Sequence, residues 1–370
     1  MRRNYIRWRR SFSFRPTKYL FFLAILSISI FHVKNQFGYG QSNKFHTLQP
    51  SIKHVHKGPE TPSVQTLLRV WNLVKRRFNY TYDIFSQWNQ TLCSIQSQKR
   101  GPNQKVISVS VYGTTSKFTN NAMFAWNTTI MPYLAALSQE VNDLLPSWII
   151  RIYTDYVGST LEQRELINTY ANVDICNVND MPMFGSSLVN YMPGKMWRFL
   201  PVFDSYVDYI VSHDLDSPMT KRQAETLDLW LSSEHENNFF YIARDHQQHI
   251  EVILGGLWGA APGRARQKLY DLFRPMLMER VSKLCVASGD QPFLSAFVYN
   301  NVAHNSLIFD SYNCKELGGR PFLSQRTNIR CFLGCFRPCC SDQSTNKTDV
   351  FVKICPLECR PKDHRNWSRC

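Results

Sequence analysis

Tyr209-Ile210-Val211-Ser212-His213-Asp214-Leu215-Asp216-Ser217 decides how this chain reads. Tyr206, Val207, Tyr209, Ile210 and Val211 are aromatic or β-branched, the composition of a strand covered on both faces. Open α/β sheets bind ligands at the carboxyl ends of their strands, where this strand delivers Asp214 and Asp216. Two carboxylates so placed suit one hard divalent cation, Mn2+ or Mg2+, with a diphosphate completing its shell. Such a cation offsets charge that develops on a leaving phosphate. The plainer reading is a strand followed by an Asp-rich turn, since Asp favours turns.

Upstream, Val106-Ile107-Ser108-Val109-Ser110-Val111-Tyr112-Gly113 reads as a first buried strand ending in glycine. Met131, Leu134, Leu137, Val141 and Leu144 recur at helical spacing within 122–145. Trp148 to Asp155 is a second strand, and Val173 to Val178 a third after another helix. Strand, helix, strand, helix, strand is the signature of a mainly parallel, doubly wound α/β sheet. The half lacks Gly-x-Gly-x-x-Gly and Gly-Lys-Ser/Thr, which argues against dinucleotide oxidoreductases and P-loop enzymes. Gly194 to Phe203 reads as a basic helix before the organising strand. Its Lys195 and Arg198 are placed to reach phosphates, or else are solvated cations on a helix face.

The chain has 370 residues and a net charge of +15, unevenly spread. Seven basic residues and no acid precede Tyr19, and a second basic excess follows Gly319. The nearly neutral middle argues against a nucleic-acid-binding core. Tyr19 to Val33 is an apolar run of 15 residues, shorter than the ~20 of a full span. It reads as a cleaved signal peptide or as an uncleaved anchor. The long basic head and the lack of a small-x-small cleavage site favour the anchor, with the body of the protein in the secretory lumen. Five sequons, at Asn79, Asn89, Asn127, Asn346 and Asn366, agree with a lumenal body. So do eleven cysteines, eight of them after residue 310, which read as a disulfide-stapled tail. The spacings Cys331/Cys335 and Cys355/Cys359 also admit a zinc site. The odd total leaves one thiol free or paired with another chain, in a disulfide-linked homodimer. The expected organisation is a cytosolic tail (1–18), an anchor (19–33), a stem (34–104), a core domain (105–315) and the Cys-rich tail (316–370).

The order of motifs carries a resemblance. WRFLPVFDSYVDYIVSHDLDS (197–217) is similar to the helix and Asp-x-Asp strand of nucleotide-sugar glycosyltransferases of the Rossmann-like GT-A fold. Downstream, Arg244-Asp245-His246, Gly255-Gly256-Leu257-Trp258-Gly259 and Asp290-Gln291 follow in an order that also resembles a poorly characterised group of glycosyltransferase-like proteins. The resemblance covers about residues 105 to 315. It implies a Golgi or ER membrane enzyme moving a sugar from a nucleotide-sugar donor to a glycan, glycoprotein or glycolipid acceptor.

Under that resemblance Asp214 and Asp216 bind the metal, with Asp214 alternatively on ribose, and a late histidine, His304, completes the shell. Tyr112, Gly113, Lys195 and Arg198 border the donor. Gly255, Gly256 and Trp258 line the sugar or acceptor pocket. Asp290 sits by the acceptor hydroxyl, as general base if the reaction inverts. Asp245 touches the donor sugar or closes a structural turn with a local arginine. His213 departs from the Arg or apolar residue usual before the motif. Two other classes stay open. One is a nucleotidyltransferase or metal-dependent phosphohydrolase, against which stands the lack of a second, His-rich metal cluster. The other is a lumenal lectin-like protein whose Asp214 and Asp216 are dispensable.

Overall fold

β1 (Gln104–Val111) forms because Val106, Ile107, Val109 and Val111 all find cover, and each is at most 5% exposed. It lies between β2 (Trp148–Thr154) and β4 (Val207–Ser212), parallel to both. β3 (Val173–Asn177) continues the parallel run beyond β2. On the other side come β6 (Trp258–Ala260), β5 (Phe240–Arg244) and β7 (Ser306–Asp310). The seven strands take the order β3-β2-β1-β4-β6-β5-β7. β6 alone runs against the rest, antiparallel to β4 and β5. The protein is therefore α/β with a mostly parallel seven-stranded sheet, compatible with a Rossmann-like fold. The chain crosses from β3 to β4 over the β2-β1 pair, so the strand order reverses between β1 and β4. Their adjacent carboxyl ends form the crevice where such sheets hold ligands.

The computed structural model describes residues 63–77, 82–112, 130–155, 165–341 except 167, 185–186 and 188–189, and 353–370. The basic head, the apolar run 19–33 and residues 34–62 of the expected stem lie outside them. All described residues belong to one compact unit, Gly58–Cys370. Among the described residues no helix is long and apolar enough to cross a membrane.

The described residues of 63–104, expected as stem, pack onto the core. Helix α1 (Val64–Val74) starts at Ser63, whose hydroxyl accepts from the Thr66 N–H, and buries Leu67 and Val74. Phe85 and Leu92 are buried too. A disulfide joins Cys93 to Cys176 in β3. Asp204 pairs with Arg151 of β2 at 2.6 Å and accepts from the Thr91 hydroxyl at 2.7 Å and the Leu92 N–H at 3.0 Å. The expected boundary at 105 fell too late because the segment is polar overall and anchors through a few positions, although the helical spacing of Leu67, Val70, Trp71 and Val74 marks the helix itself.

Trp258 corrects an expectation. It is fully buried in β6, stacked on Phe240 at 5.3 Å and on Phe273 at 5.2 Å. It packs the core between β5 and the helix Pro262–Phe273 and offers no face to a ligand. Its setting explains the difference: Gly255-Gly256 is a turn, but Trp258–Ala260 right after it forms a strand.

The cysteines pair as Cys314–Cys359, Cys331–Cys340, Cys335–Cys339 and Cys355–Cys370 in the tail. Cys285 is the odd one. It is fully buried in the helix Glu279–Ser288, and burial pushes its thiol up to about 12. Asn89 and Asn366 are exposed; the other three sequons lie outside the described residues.

Candidate functional site

The Gly194–Phe203 segment, a 3-10 helix containing Pro201, precedes β4 and brings Arg198 beneath the end of that strand. The Arg198 backbone N–H donates to the Ser110 hydroxyl of β1 at 2.8 Å. Its guanidinium donates to the Asp214 carboxylate, to Asp290 at 2.8 Å and to the His213 carbonyl at 3.3 Å. One buried cation thus ties the Asp-x-Asp turn to the Asp-Gln element. Burial raises the Asp214 carboxyl, but the Arg198 charge outweighs it and holds Asp214 below the usual carboxylate range. Asp216 has no such partner. Burial and then the charge of Asp214 push it above that range. His213 is buried, its Nδ1 lies 2.8 Å from the Asp214 carbonyl, and burial lowers its pKa, so the ring is neutral.

Asp214 and Asp216 line a cavity of about 410 Å³ at the ends of β1 and β4. Ser110, Tyr112, Lys195 and Arg198 line it too. Tyr112 is half exposed and rests edge-on against Trp197 at 6.3 Å. Among the described residues Lys195 has no ion-pair partner, so its charge stands uncommitted at the cavity. Arg198 was expected to reach phosphates, but its charge is committed to two carboxylates. Gly113 lies outside the described residues.

The Gly255-Gly256 turn is packed directly behind these charges. A Cβ on Gly255 would overlap the Asp290 carboxylate and lie 2.6 Å from the Arg198 guanidinium. A Cβ on Gly256 would overlap the Asp214 carboxylate. The turn is held by the Ser212 hydroxyl, which donates to the Gly255 carbonyl at 2.6 Å. In the amide orientation that matches donors to acceptors, Gln291 bridges the Ile253 carbonyl at 2.6 Å and the Gly255 N–H at 2.9 Å. Gly256→Ala is therefore expected to push Asp214 out of line with Asp216. A divalent cation that needs both should then bind about 10- to 100-fold more weakly, measured by Mn2+ titration.

Two expected site residues stand elsewhere, and a third lies beside the site in another role. Asp245 is fully buried, ion-paired with Arg222 and Arg326 at 3.0 Å each. It also accepts from the Ser311 hydroxyl at 2.6 Å and the Leu333 N–H at 3.0 Å. Burial raises its pKa, but the two arginines win and bring it to about 2. Asp245 is the structural post that ties the tail to β5, with no open side for a substrate. His304 is exposed and precedes β7 by two residues. β7 runs parallel to β5, so its start lies at the opposite end of the sheet from Asp214 and Asp216. At ~3.3 Å per residue, the strand itself separates His304 from any metal they hold. Asp290 does lie next to the site, but it is 6% exposed and engaged by Arg198, which makes it a positioning residue.

The reading of the motifs missed part of the cavity lining. Ile130, Tyr133 and Phe336 line it together with Lys195 and Arg198. Tyr133 lies in helix α2 (Met131–Leu144), which the periodicity located without assigning it a face to a ligand. Phe336 comes from the Cys-rich tail, inside Cys335-Phe336-Arg337-Pro338-Cys339. An aromatic and an arginine fixed between cysteines were the available signal. Models of known protein families and curated proteins give no match to this chain.

Proposed function

We propose that the protein is a metal-dependent glycosyltransferase of the GT-A type, moving a sugar from a nucleotide-sugar to a glycan, protein or lipid acceptor. The observation that carries this reading is the cavity at the β1/β4 reversal, where both carboxylates of the Asp-x-Asp turn stand beside Lys195. The antiparallel β6 beside β4 fits the same fold type.

The donor set fits a hard cation. The two carboxylates repel each other, and Asp216 is left without a neutralising partner. When bound, Mn2+ or Mg2+ would neutralise charge on the departing diphosphate. In the reaction the bond from the sugar C1 to phosphate oxygen breaks and one from C1 to the acceptor oxygen forms. The nucleoside diphosphate leaves with the bonding electron pair, and the proton of the acceptor hydroxyl passes to it or to solvent. Asp214 and Asp216 would hold the cation, Arg198 would keep Asp214 ionised and aligned, and Lys195 would contact the phosphates. The Gly255-Gly256 turn would exclude water behind them. The basic head and apolar run 1–33 would anchor this body in the Golgi or ER membrane, facing the lumen, where its disulfides persist.

The test is a screen of nucleotide-sugars with the purified chain, with manganese and with a chelator. Release of nucleoside diphosphate from one donor, lost with the chelator, is expected. No turnover of any donor would overturn the reading. One observation favours a lectin-like role instead. A second cavity of about 400 Å³ lies within the tail, lined by Arg320, Phe322, Lys362, His364 and Trp367. Sugar binding that survives both the chelator and loss of Asp216 would favour that role.

A further inference from the structure

The tail loop closed by Cys331–Cys340 and Cys335–Cys339 lies over the carboxylate turn. Arg337 fixes it there. Its backbone N–H donates to the Asp216 carbonyl at 2.9 Å. Its guanidinium forks onto the Glu140 carboxylate of α2 at 2.5 and 2.6 Å and reaches the Ser217 carbonyl at 3.1 Å. A bidentate arginine–carboxylate pair sets orientation as well as distance. The residue before it, Phe336, is thereby carried to the cavity. Its ring meets Tyr133 edge-on at 6.0 Å yet stays 62% exposed.

One exposed phenylalanine is ordinary on a protein surface. This one differs because its backbone is cross-linked twice and clamped to the metal-binding turn. It also shares a cavity with Asp214, Asp216 and Lys195. The cavity lining is therefore mixed: Asp214, Asp216, Lys195 and Arg198 are charged, whereas Ile130, Tyr133 and Phe336 are apolar or aromatic. Arg198 is closed off, its side chain 9% exposed, whereas the Asp214 side chain is 47% exposed and Phe336 62% exposed. A group that arrives from solvent can therefore meet the carboxylate and the Phe336 ring together. A pyranose ring presents an apolar C–H face to an aromatic ring and hydroxyls at its edge.

We infer that Phe336, backed by Tyr133, is the platform on which the acceptor's pyranose ring stacks. The acceptor specificity of the enzyme is thus supplied by its Cys-rich tail, with Arg337 and Glu140 as the positioning pair. This rests on the proposed transfer reaction.

The test uses the purified full chain, Mn2+ and whichever donor it hydrolyses, titrated with methyl glycosides of glucose, galactose, mannose, N-acetylglucosamine, xylose and fucose. At least one glycoside is expected to be glycosylated. Phe336→Ala should raise its KM about tenfold, equivalent to about 1.4 kcal/mol, with the donor KM moving much less. Phe336→Trp should restore the acceptor KM. An equal rise in donor KM would assign the ring to the donor and overturn the inference. So would an acceptor KM unmoved in Phe336→Ala, or no glycoside accepted. Hydrolysis of no donor by the unaltered chain would overturn the transfer reading as well, whereas hydrolysis with a failed Phe336 arm overturns this inference alone.

Discussion

Asp216→Asn is expected to lower metal-dependent release of nucleoside diphosphate by about 100-fold or more while leaving the melting temperature unchanged. The asymmetry of the two carboxylates is the reason. Asp214 already has its counter-charge in Arg198. Among the described residues Asp216 forms no ion pair, and burial and then the Asp214 charge raise its pKa by more than the nearby Arg198 and Arg337 lower it. In the resting protein Asp216 is a repelled charge, so removing it costs the fold nothing. With a cation present it is the ligand whose charge is still free. Asp214→Asn makes the contrast. It should weaken the cation too, but it also strips Arg198, a buried guanidinium, of one of its two carboxylates. A loss of stability of about 1–3 kcal/mol should accompany it, read by denaturant unfolding.

Asp245→Asn should do the reverse, destabilising the protein without removing any of the cavity's carboxylates. The carboxylate neutralises two arginines that are at most 4% exposed. Removing one member of a buried ionic network leaves charge uncompensated and costs about 3–5 kcal/mol. For a unit of this size the melting temperature should fall on the order of 10 °C. The same group sets an acid limit. Its folded pKa, about 2, lies below the ordinary 3.8, so its contribution is fully present above about pH 4. It is lost as the pH falls through the folded value, a swing of about 2 kcal/mol. Acid unfolding of Asp245→Asn should lack that part of the slope. A variant as stable as the parent would contradict the structural assignment and restore Asp245 as a candidate for the site.

The two aspartates show how far the sequence could be read. Both follow a buried strand, and both sit among charges in the chain. Strand β4 and the Asp-x-Asp turn at its end followed from a β-branched and aromatic run ahead of two carboxylates, whereas the place of β4 beside β1 came only with the structure. What separates Asp214 from Asp245 is which arginine reaches which carboxylate, and those partners are 16 residues away in one case and 23 and 81 in the other. No local pattern carries that information. Trp258 was ambiguous for a related reason. An indole suits a sugar face or a core equally, and only its stacking between Phe240 and Phe273 decides. His304 was placed by order along the chain, but order does not say at which end of a strand a residue lands. The disulfide tail was legible as a tail, whereas its return over the carboxylates depends on Arg337 meeting Glu140, 197 residues earlier.

The most direct test of the central claim is Mn2+ titration by calorimetry, with and without a nucleoside diphosphate, on the parent and Asp216→Asn. One cation per chain should bind, more tightly when the diphosphate is present, and the variant should lose both the cation and the coupling. Diphosphate binding that is indifferent to the cation and to Asp216, or no cation bound at all, would contradict the assignment of this cavity as a metal-diphosphate site.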